Sequence, residues 1–168
     1  MTDGRCLKTR RYGALVIILE GPDGGGKTTL ANKLSIMTGY KIVHFTYPNS
    51  QEDIDGMYTM YIDALKSAGN VIFDRCWYSD MVYGPVMRDA ATITYPQMFE
   101  LERLAARRGA IVVYCTDSKT ALWQRATRRG EDYVTSKEKF DAICEGYDLL
   151  FRSPHIIPVM KYTFESIY

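Results

Sequence analysis

No stretch of the 168-residue sequence is apolar for long enough to cross a bilayer. The longest uninterrupted apolar run, Ala14 to Leu19, falls far short of the roughly 18 residues a spanning helix needs. Charge of one sign is also missing. The formal net charge is +1 with 24% charged residues, which argues against a coat for nucleic acid or a membrane-surface protein. Cysteine and histidine are scarce. Cys6, Cys76, Cys115 and Cys144 form no CxxC, and His44 and His155 stand far apart. That excludes a disulfide framework and a zinc cluster and fits core thiols in a reducing cytoplasm. Repeats, low-complexity tracts and linkers are absent too, so residues 1–168 read as one domain. The opening "MTDGRCLKTRRYG" has no apolar segment before Arg11. It is therefore not a signal peptide, and residues 1–11 read as a basic tail.

What is present is an alternation of apolar runs and amphipathic segments. "ALVIILE", "KIVHF", "NVIFD", "AIVVYCTD" and "HIIPVMKYTF" read as strands, with Pro158 at the start or on an edge of the last. "KTTLANKLSIM" before Gly39, the run Ile54 to Leu65, "YPQMFELERLAARRG" and "SKTALWQRATRR" read as helices. A further helix carries Phe140, Ile143, Cys144, Tyr147, Leu150 and Phe151 on one face, and Ser118 and Ser136 are N-cap candidates. This order predicts a three-layer α/β fold, with a five-stranded, mostly parallel sheet between helices.

The densest signal is "ILEGPDGGGKTTL". Gly21 to Thr28 fits G-x-x-x-x-G-K-[ST], follows a buried strand and opens a helix. Backbone N–H groups and the helix dipole there face an anion. The spacing predicts a nucleoside triphosphate, ATP, held by Gly21, Asp23, Gly24, Gly25, Gly26, Lys27, Thr28 and Thr29. Lys27 is placed on the β and γ phosphates, and Thr28 offers its hydroxyl to Mg²⁺.

The third strand, "NVIFD", ends at Asp74 and is followed by Arg75. A water-activating Asp-Glu pair is absent there. The aspartate suits Mg²⁺, and an arginine fork suits phosphoryl oxygens shared between two phosphorylated molecules. Arg125, Arg128 and Arg129, before Gly130, mark a short lid over about residues 125–136. Such a lid would bring a guanidinium onto the transferring group and exclude water.

Three motifs together resemble the thymidylate kinases of the P-loop nucleoside monophosphate kinases: "ILEGPDGGGKTTLANKL", "VIFDRCWYSDMVYG" and "YCTDSKTALWQRATRRGEDY". The resemblance covers nearly everything after Tyr12 and is similar to compact, phage-encoded members. It implies that Asp23 accepts the acceptor sugar's hydroxyl and that Arg75 bridges donor and acceptor phosphates. Asp74 would support Mg²⁺, and Arg125 or Arg129 would act in catalysis with Arg128 on the donor. Ser79, Tyr83 and Tyr133 would line the acceptor site, and the resemblance implies a homodimer. The sequence also departs from the family. Thr46 stands where an arginine for the acceptor phosphate is usual, so either Arg88 or Lys41 substitutes or the phosphate contacts are fewer. The base-reading interval is short, with Tyr58 and Tyr61 its nearest aromatics.

The expected reaction moves the γ-phosphate of ATP to a deoxynucleoside monophosphate, dTMP first among them. A phosphate acceptor is largely ionised at pH 7 and needs no strong base. Two rival readings remain. A deoxynucleoside kinase would want a carboxylate base, which "HFTYPNSQED" does not offer in the usual Glu-x-Pro form. A P-loop ATPase or switch acting on nucleic acid would want the absent Asp-Glu.

Overall fold

The computed structural model describes residues 15–48, 50–67, 69–128, 134 and 136–164. Five strands form one sheet: β1 (Val16–Glu20), β2 (Lys41–His44), β3 (Val71–Asp74), β4 (Ile111–Thr116) and β5 (Val159–Thr163). Their order is β2-β3-β1-β4-β5, and every pairing is parallel. Parallel neighbours require crossovers, and the helices provide them. These are α1 (Lys27–Thr38), α2 (Gln51–Ser67), α3 (Trp77–Arg88), α4 (Tyr95–Ala106), α5 (Lys119–Arg128) and α6 (Lys137–Arg152). The expected α/β sheet flanked by helices is thus present. β1 and β3 are buried along their whole length, as continuous apolar runs covered on both faces should be.

Local signals set most boundaries. Gly39, at φ 72°, closes α1 and donates its N–H to Ser35 O at 2.8 Å. Thr94 and Gln97 form a capping box at the start of α4. Ser118 and Ser136 accept from Ala121 N and Lys139 N at 3.3 Å each, starting α5 and α6. β5 begins one residue after Pro158, whose carbonyl still accepts Val112 N at 2.9 Å.

One element has no counterpart in the sequence reading. α3 buries Trp77, Tyr78, Ser79, Asp80, Val82, Tyr83 and Gly84. A helix covered nearly all round shows no 3.6-residue alternation, and its Gly84-Pro85 pair looks like a break. It is held by α6, packed against it, and by Glu20, the last residue of β1. That carboxylate, fully buried, accepts Cys76 N at 2.7 Å and Ser79 N at 3.1 Å at the helix N-terminus.

The central strand β1 has β3 on one side and β4 on the other. Their carboxyl ends define the crevice where open parallel sheets take ligands. The phosphate loop, Arg75 and the start of α3 all meet there.

Candidate active site

The loop between β1 and α1 is shaped as much by what lies beneath it as by any ligand. Gly21 has φ 139°, and a Cβ there would fall 2.0 Å from the Cys115 carbonyl oxygen at the end of β4. Gly24 has φ 77°, and a Cβ would meet Leu122 O of α5 at 2.2 Å. Only glycine satisfies both the dihedral and the contact at these two positions. Gly25 and Gly26 complete the turn into α1. Lys27 is buried and turns its Nζ back onto Pro22 O at 2.6 Å. Burial, then the neighbouring Arg75 charge, lowers this ammonium to about 8. A phosphate placed on the loop would supply the counter-charge that is scarce there.

Arg75 is the hub. Its backbone sits at φ 70°, uncommon for a non-glycine residue, and its N–H holds Leu19 O at 3.0 Å. This conformation aims the side chain under the phosphate loop. Nη1 lies 3.2 Å from Gly21 O, 3.3 Å from Ser79 Oγ and 3.4 Å from Tyr147 OH. Nη2 pairs with Asp23 Oδ1, and the guanidinium stands 5.0 Å from the Tyr83 ring. Tyr83 OH donates to Asp23 Oδ2 at 3.0 Å. Burial tends to raise the Asp23 carboxyl, but the charges of Arg75 and Lys27 outweigh it and hold it low. Both oxygens of Asp23 are therefore engaged, by Arg75 and Tyr83. A sugar hydroxyl would have to share this carboxylate.

Ser79 also has a different role from a simple acceptor contact. Its hydroxyl donates to Glu20 Oε2 at 2.7 Å and lies 2.8 Å from Tyr147 OH, which itself donates to Glu20 at 3.0 Å. Glu20 and Tyr147 thus fix the position of Arg75 from behind. Both escaped the sequence reading. Glu20 could have been found, because it is a carboxylate closing an otherwise apolar buried strand. Tyr147 reads as one more residue of an apolar helix face.

Thr28 and Asp74 fit Mg²⁺ by donor chemistry. Thr28 Oγ1 donates to Asp74 Oδ2 at 3.1 Å, and Asp74 Oδ1 is buried with no partner among the described residues. Magnesium commonly takes one or two carboxylates and leaves the rest of its shell to waters and phosphates. No group of three or more His, Cys, Asp or Glu suited to a metal occurs among the described residues. His44 Nδ1 stands 3.4 Å from Asp74 Oδ2, a neighbour not anticipated.

Beside Arg75 a cavity opens between the β2–α2 connection and α3. Phe45, Thr46, Tyr47, Met57, Tyr61, Arg75, Ser79 and Asp80 are among its lining. Tyr61 forms a wall, packed edge-on against Phe45 at 5.0 Å and Trp77 at 5.9 Å.

Several expected site residues stand elsewhere. Tyr58 is not in the cavity lining: one residue off the inward stripe Met57, Tyr61, Leu65, it donates to Glu100 of α4 at 2.6 Å. Lys41 is at the amino end of β2, paired in register with Val71, and so lies at the far end of the sheet from Arg75. Arg125, expected as a lid arginine, is a strut. Its Nε donates to Gly24 O at 2.7 Å, Nη2 pairs with Asp117 at 2.9 Å, and Cζ lies 5.7 Å from the Phe164 ring. Arg128 is exposed on the last turn of α5, and Thr29 is half-buried in α1. Arg129, Gly130 and Tyr133 of the expected lid, like the tail 1–11 and Cys6, lie outside the described residues.

The profile of the polyphosphate kinase 2 (PPK2) family matches residues 5–135. The chain belongs to this family. As a PPK2 member it is a phosphotransferase of the P-loop kinase type. The SPbeta prophage-derived uncharacterized protein YorR of Bacillus subtilis is 32% identical over 133 residues, 79% of either chain. Its crystal structure, in complex with phosphorylated GDP, superposes with TM-score 0.75 at 27% identity, covering 88% of this chain and 85% of that one. A GDP-polyphosphate phosphotransferase of Pseudomonas aeruginosa is 30% identical over 106 residues, 58% of this chain but only 30% of that protein. Polyphosphate kinase 2 of Arthrobacter aurescens shares the fold, with TM-score 0.69 at 19% identity over 90% of this chain and 62% of its own. The motif resemblance to thymidylate kinases therefore resolves, at the level of family, to PPK2. The motifs report how phosphate is handled, which P-loop kinases have in common. The segment that would tell acceptors apart is the one in which this chain departs from the thymidylate kinase pattern.

No described helix of this PPK2 member is long and apolar enough to cross a membrane.

Proposed function

We propose that the protein transfers the γ-phosphate of Mg·ATP to a deoxynucleoside monophosphate, giving ADP and the diphosphate. The observation that carries this reading is Arg75. One guanidinium both underpins the phosphate loop, through Gly21 O and Asp23, and lines the adjoining cavity. A phosphorylated acceptor in that cavity would place its anion against the same group that faces the donor.

The chemistry is positioning and charge neutralisation. An acceptor phosphate oxygen forms a bond to the γ-phosphorus while the bond from γ-phosphorus to the β–γ bridging oxygen breaks, and ADP keeps that electron pair. Lys27 leaves Pro22 O for the β and γ phosphates. Arg75 lies between the two anions and offsets their repulsion. Thr28 and Asp74 would hold Mg²⁺, which neutralises charge on the donor phosphates when bound. Asp23, kept ionised, orients Arg75 and can take the acceptor sugar's hydroxyl. Thymine as the base rests on the sequence resemblance alone.

A second reading is favoured by the family match. A PPK2 member, with a relative named GDP-polyphosphate phosphotransferase, could use polyphosphate as donor or a diphosphate as acceptor. One experiment separates the two. The protein is incubated with Mg²⁺ and either ATP or polyphosphate, each with the four deoxynucleoside monophosphates, GDP and the unphosphorylated deoxynucleosides, and products are resolved by chromatography. Diphosphates formed from monophosphates and ATP are expected. Products only from polyphosphate, only from GDP or only from unphosphorylated nucleosides would overturn the proposal.

A further inference from the structure

His44 is a side chain beside the nucleotide site that the transfer chemistry above leaves unused. It ends β2, and the parallel register sets it next to Asp74, the last residue of β3. Its Nδ1 stands 3.4 Å from Asp74 Oδ2, and the same oxygen accepts Thr28 Oγ1 at 3.1 Å. An edge strand and the first turn of α1 thus converge on one carboxylate. That side chain is 5% exposed, and its Oδ1 is buried with no partner among the described residues. A hydrogen bond alone does not explain the imidazole. At 3.4 Å the contact is longer than an ordinary N–H···O bond, and the ring is 56% exposed. The other histidine of the sequence shows what a structural pair looks like: His155 is 3% exposed and meets Glu102 at 2.7 Å. The spacing at Asp74 fits ligands of a common cation instead. Neighbouring donors on a six-coordinate ion with bonds of about 2.1 Å lie about 3 Å apart, close to both separations here.

We propose that His44 supplies a nitrogen ligand to the cation held at Thr28 and Asp74, and that it makes this site favour Mn²⁺ over Mg²⁺. The ground is the chemistry of the donors. Mg²⁺ is a hard ion that takes oxygen ligands and gives up its water reluctantly. Divalent transition ions accept imidazole nitrogen alongside carboxylate and phosphate oxygen. A hydroxyl and a carboxylate alone do not tell the two kinds of ion apart, whereas an imidazole within reach does. The ring lies at the exposed end of an edge strand, so it can turn toward the ion without unpacking the core. The inference rests on the reading of the loop as a site for a phosphate donor. It is independent of which molecule accepts the phosphate.

The test uses the full chain, with no histidines added to its own two, labelled with ¹⁵N-histidine. Mn²⁺ and ATP are added at about pH 8, where a free imidazole is neutral, and pulsed electron paramagnetic resonance reads nitrogen coupling to the bound ion. The label separates histidine from the ¹⁴N of adenine. Coupling to ¹⁵N is expected in the wild type and none in His44→Asn, whose amide keeps a polar group near the place of Nδ1 and offers no imidazole. Calorimetric titration with Mn·ATP and with Mg·ATP gives a second readout. The preference for Mn²⁺ should narrow in His44→Asn by at least about tenfold, with the affinity for Mg·ATP nearly unchanged. Bound Mn²⁺ without ¹⁵N coupling would overturn the inference, and so would an unaltered preference. Coupling that persists in His44→Asn would assign the nitrogen to His155 and overturn it equally. An equal loss for both ions would reduce His44 to a support for the Asp74 carboxylate. Failure of ATP to bind with either ion would sink the donor reading and this inference with it; ATP bound without nitrogen coupling sinks the inference alone.

Discussion

Arg75 shows how one residue's backbone and side chain can be committed to the same end. Its φ of 70° is a conformation an L-residue adopts at a cost, and the return is a guanidinium reaching Gly21, Asp23, Ser79 and Tyr147 at once. Arg75→Lys keeps the charge and loses the fork. Turnover should fall by about 10²-fold or more, while the circular dichroism spectrum stays unchanged. Retention of most of the turnover would remove Arg75 from the transfer step. Asp23→Asn tests the other half of the pair. It should raise KM for the acceptor monophosphate more than KM for ATP, as read from initial rates over both substrates. Equal rises would leave Asp23 no part in the acceptor site.

At the scale of elements, the phosphate loop and α3 are held from outside themselves. Glu20 satisfies two backbone N–H groups at the start of α3 as well as the Ser79 and Tyr147 hydroxyls. Glu20→Ala leaves these buried donors without their acceptor. A loss of about 2–4 kcal/mol in urea unfolding is expected, together with reduced turnover because Arg75 loses its backing. Gly24→Ala should be as severe for a different reason, since the added Cβ has φ 77° and the Leu122 carbonyl against it. Thermal melting would show a lower midpoint even with ATP added.

The same scale explains what could be read from the sequence. β1, β3 and the loop were legible because apolar runs and glycine spacing are local signals. The caps Ser118, Thr94–Gln97 and Ser136 belong to the same class, although only the two serines stood out. α3 was hidden because burial on nearly every side erases the helical period. The contacts of Arg125 and Tyr58 were hidden for another reason. Each is decided by a partner distant in sequence, Gly24 for the first and Glu100 for the second. Residue type and spacing say that an arginine sits at a helix end, not which carbonyl it finds.

Across the whole molecule, one buried latch joins parts that are distant in sequence. Glu102 of α4 accepts Tyr78 OH at 2.7 Å and Ile156 N at 2.8 Å, and it faces His155 Nδ1 at 2.7 Å. His155 Nε2 meets Leu150 O at 2.9 Å, so both ring nitrogens face acceptors and the imidazolium is favoured. Burial works against that charge, but the hydrogen bonds to Glu102 and Leu150 outweigh it and raise His155 above its ordinary 6.5. Burial likewise works against the Glu102 carboxylate, and the bonds from His155 and Tyr78 overcome it and lower the group below 4.5. The signs follow from linkage. The histidine contributes fully below pH 6.5 and loses its contribution as pH rises through its raised value. The glutamate contributes above pH 4.5 and loses its contribution as pH falls through its lowered one. The latch is therefore strongest between those limits. The melting midpoint should fall as pH rises above 6.5, by about 2–4 °C for each kcal/mol lost. His155→Asn should flatten that part of the curve; an unchanged slope would mean the latch does not titrate there.

The clamp on the phosphate loop also governs when the protein can first work. Gly21 rests on Cys115, Gly24 on Leu122, and Gly26 lies under Phe164. The Arg125 contact to Gly24 spans 101 positions of chain. The motif that reads as a compact local unit is therefore completed only by segments synthesised long after it. On a ribosome, the loop would emerge well before the segments that pack against it.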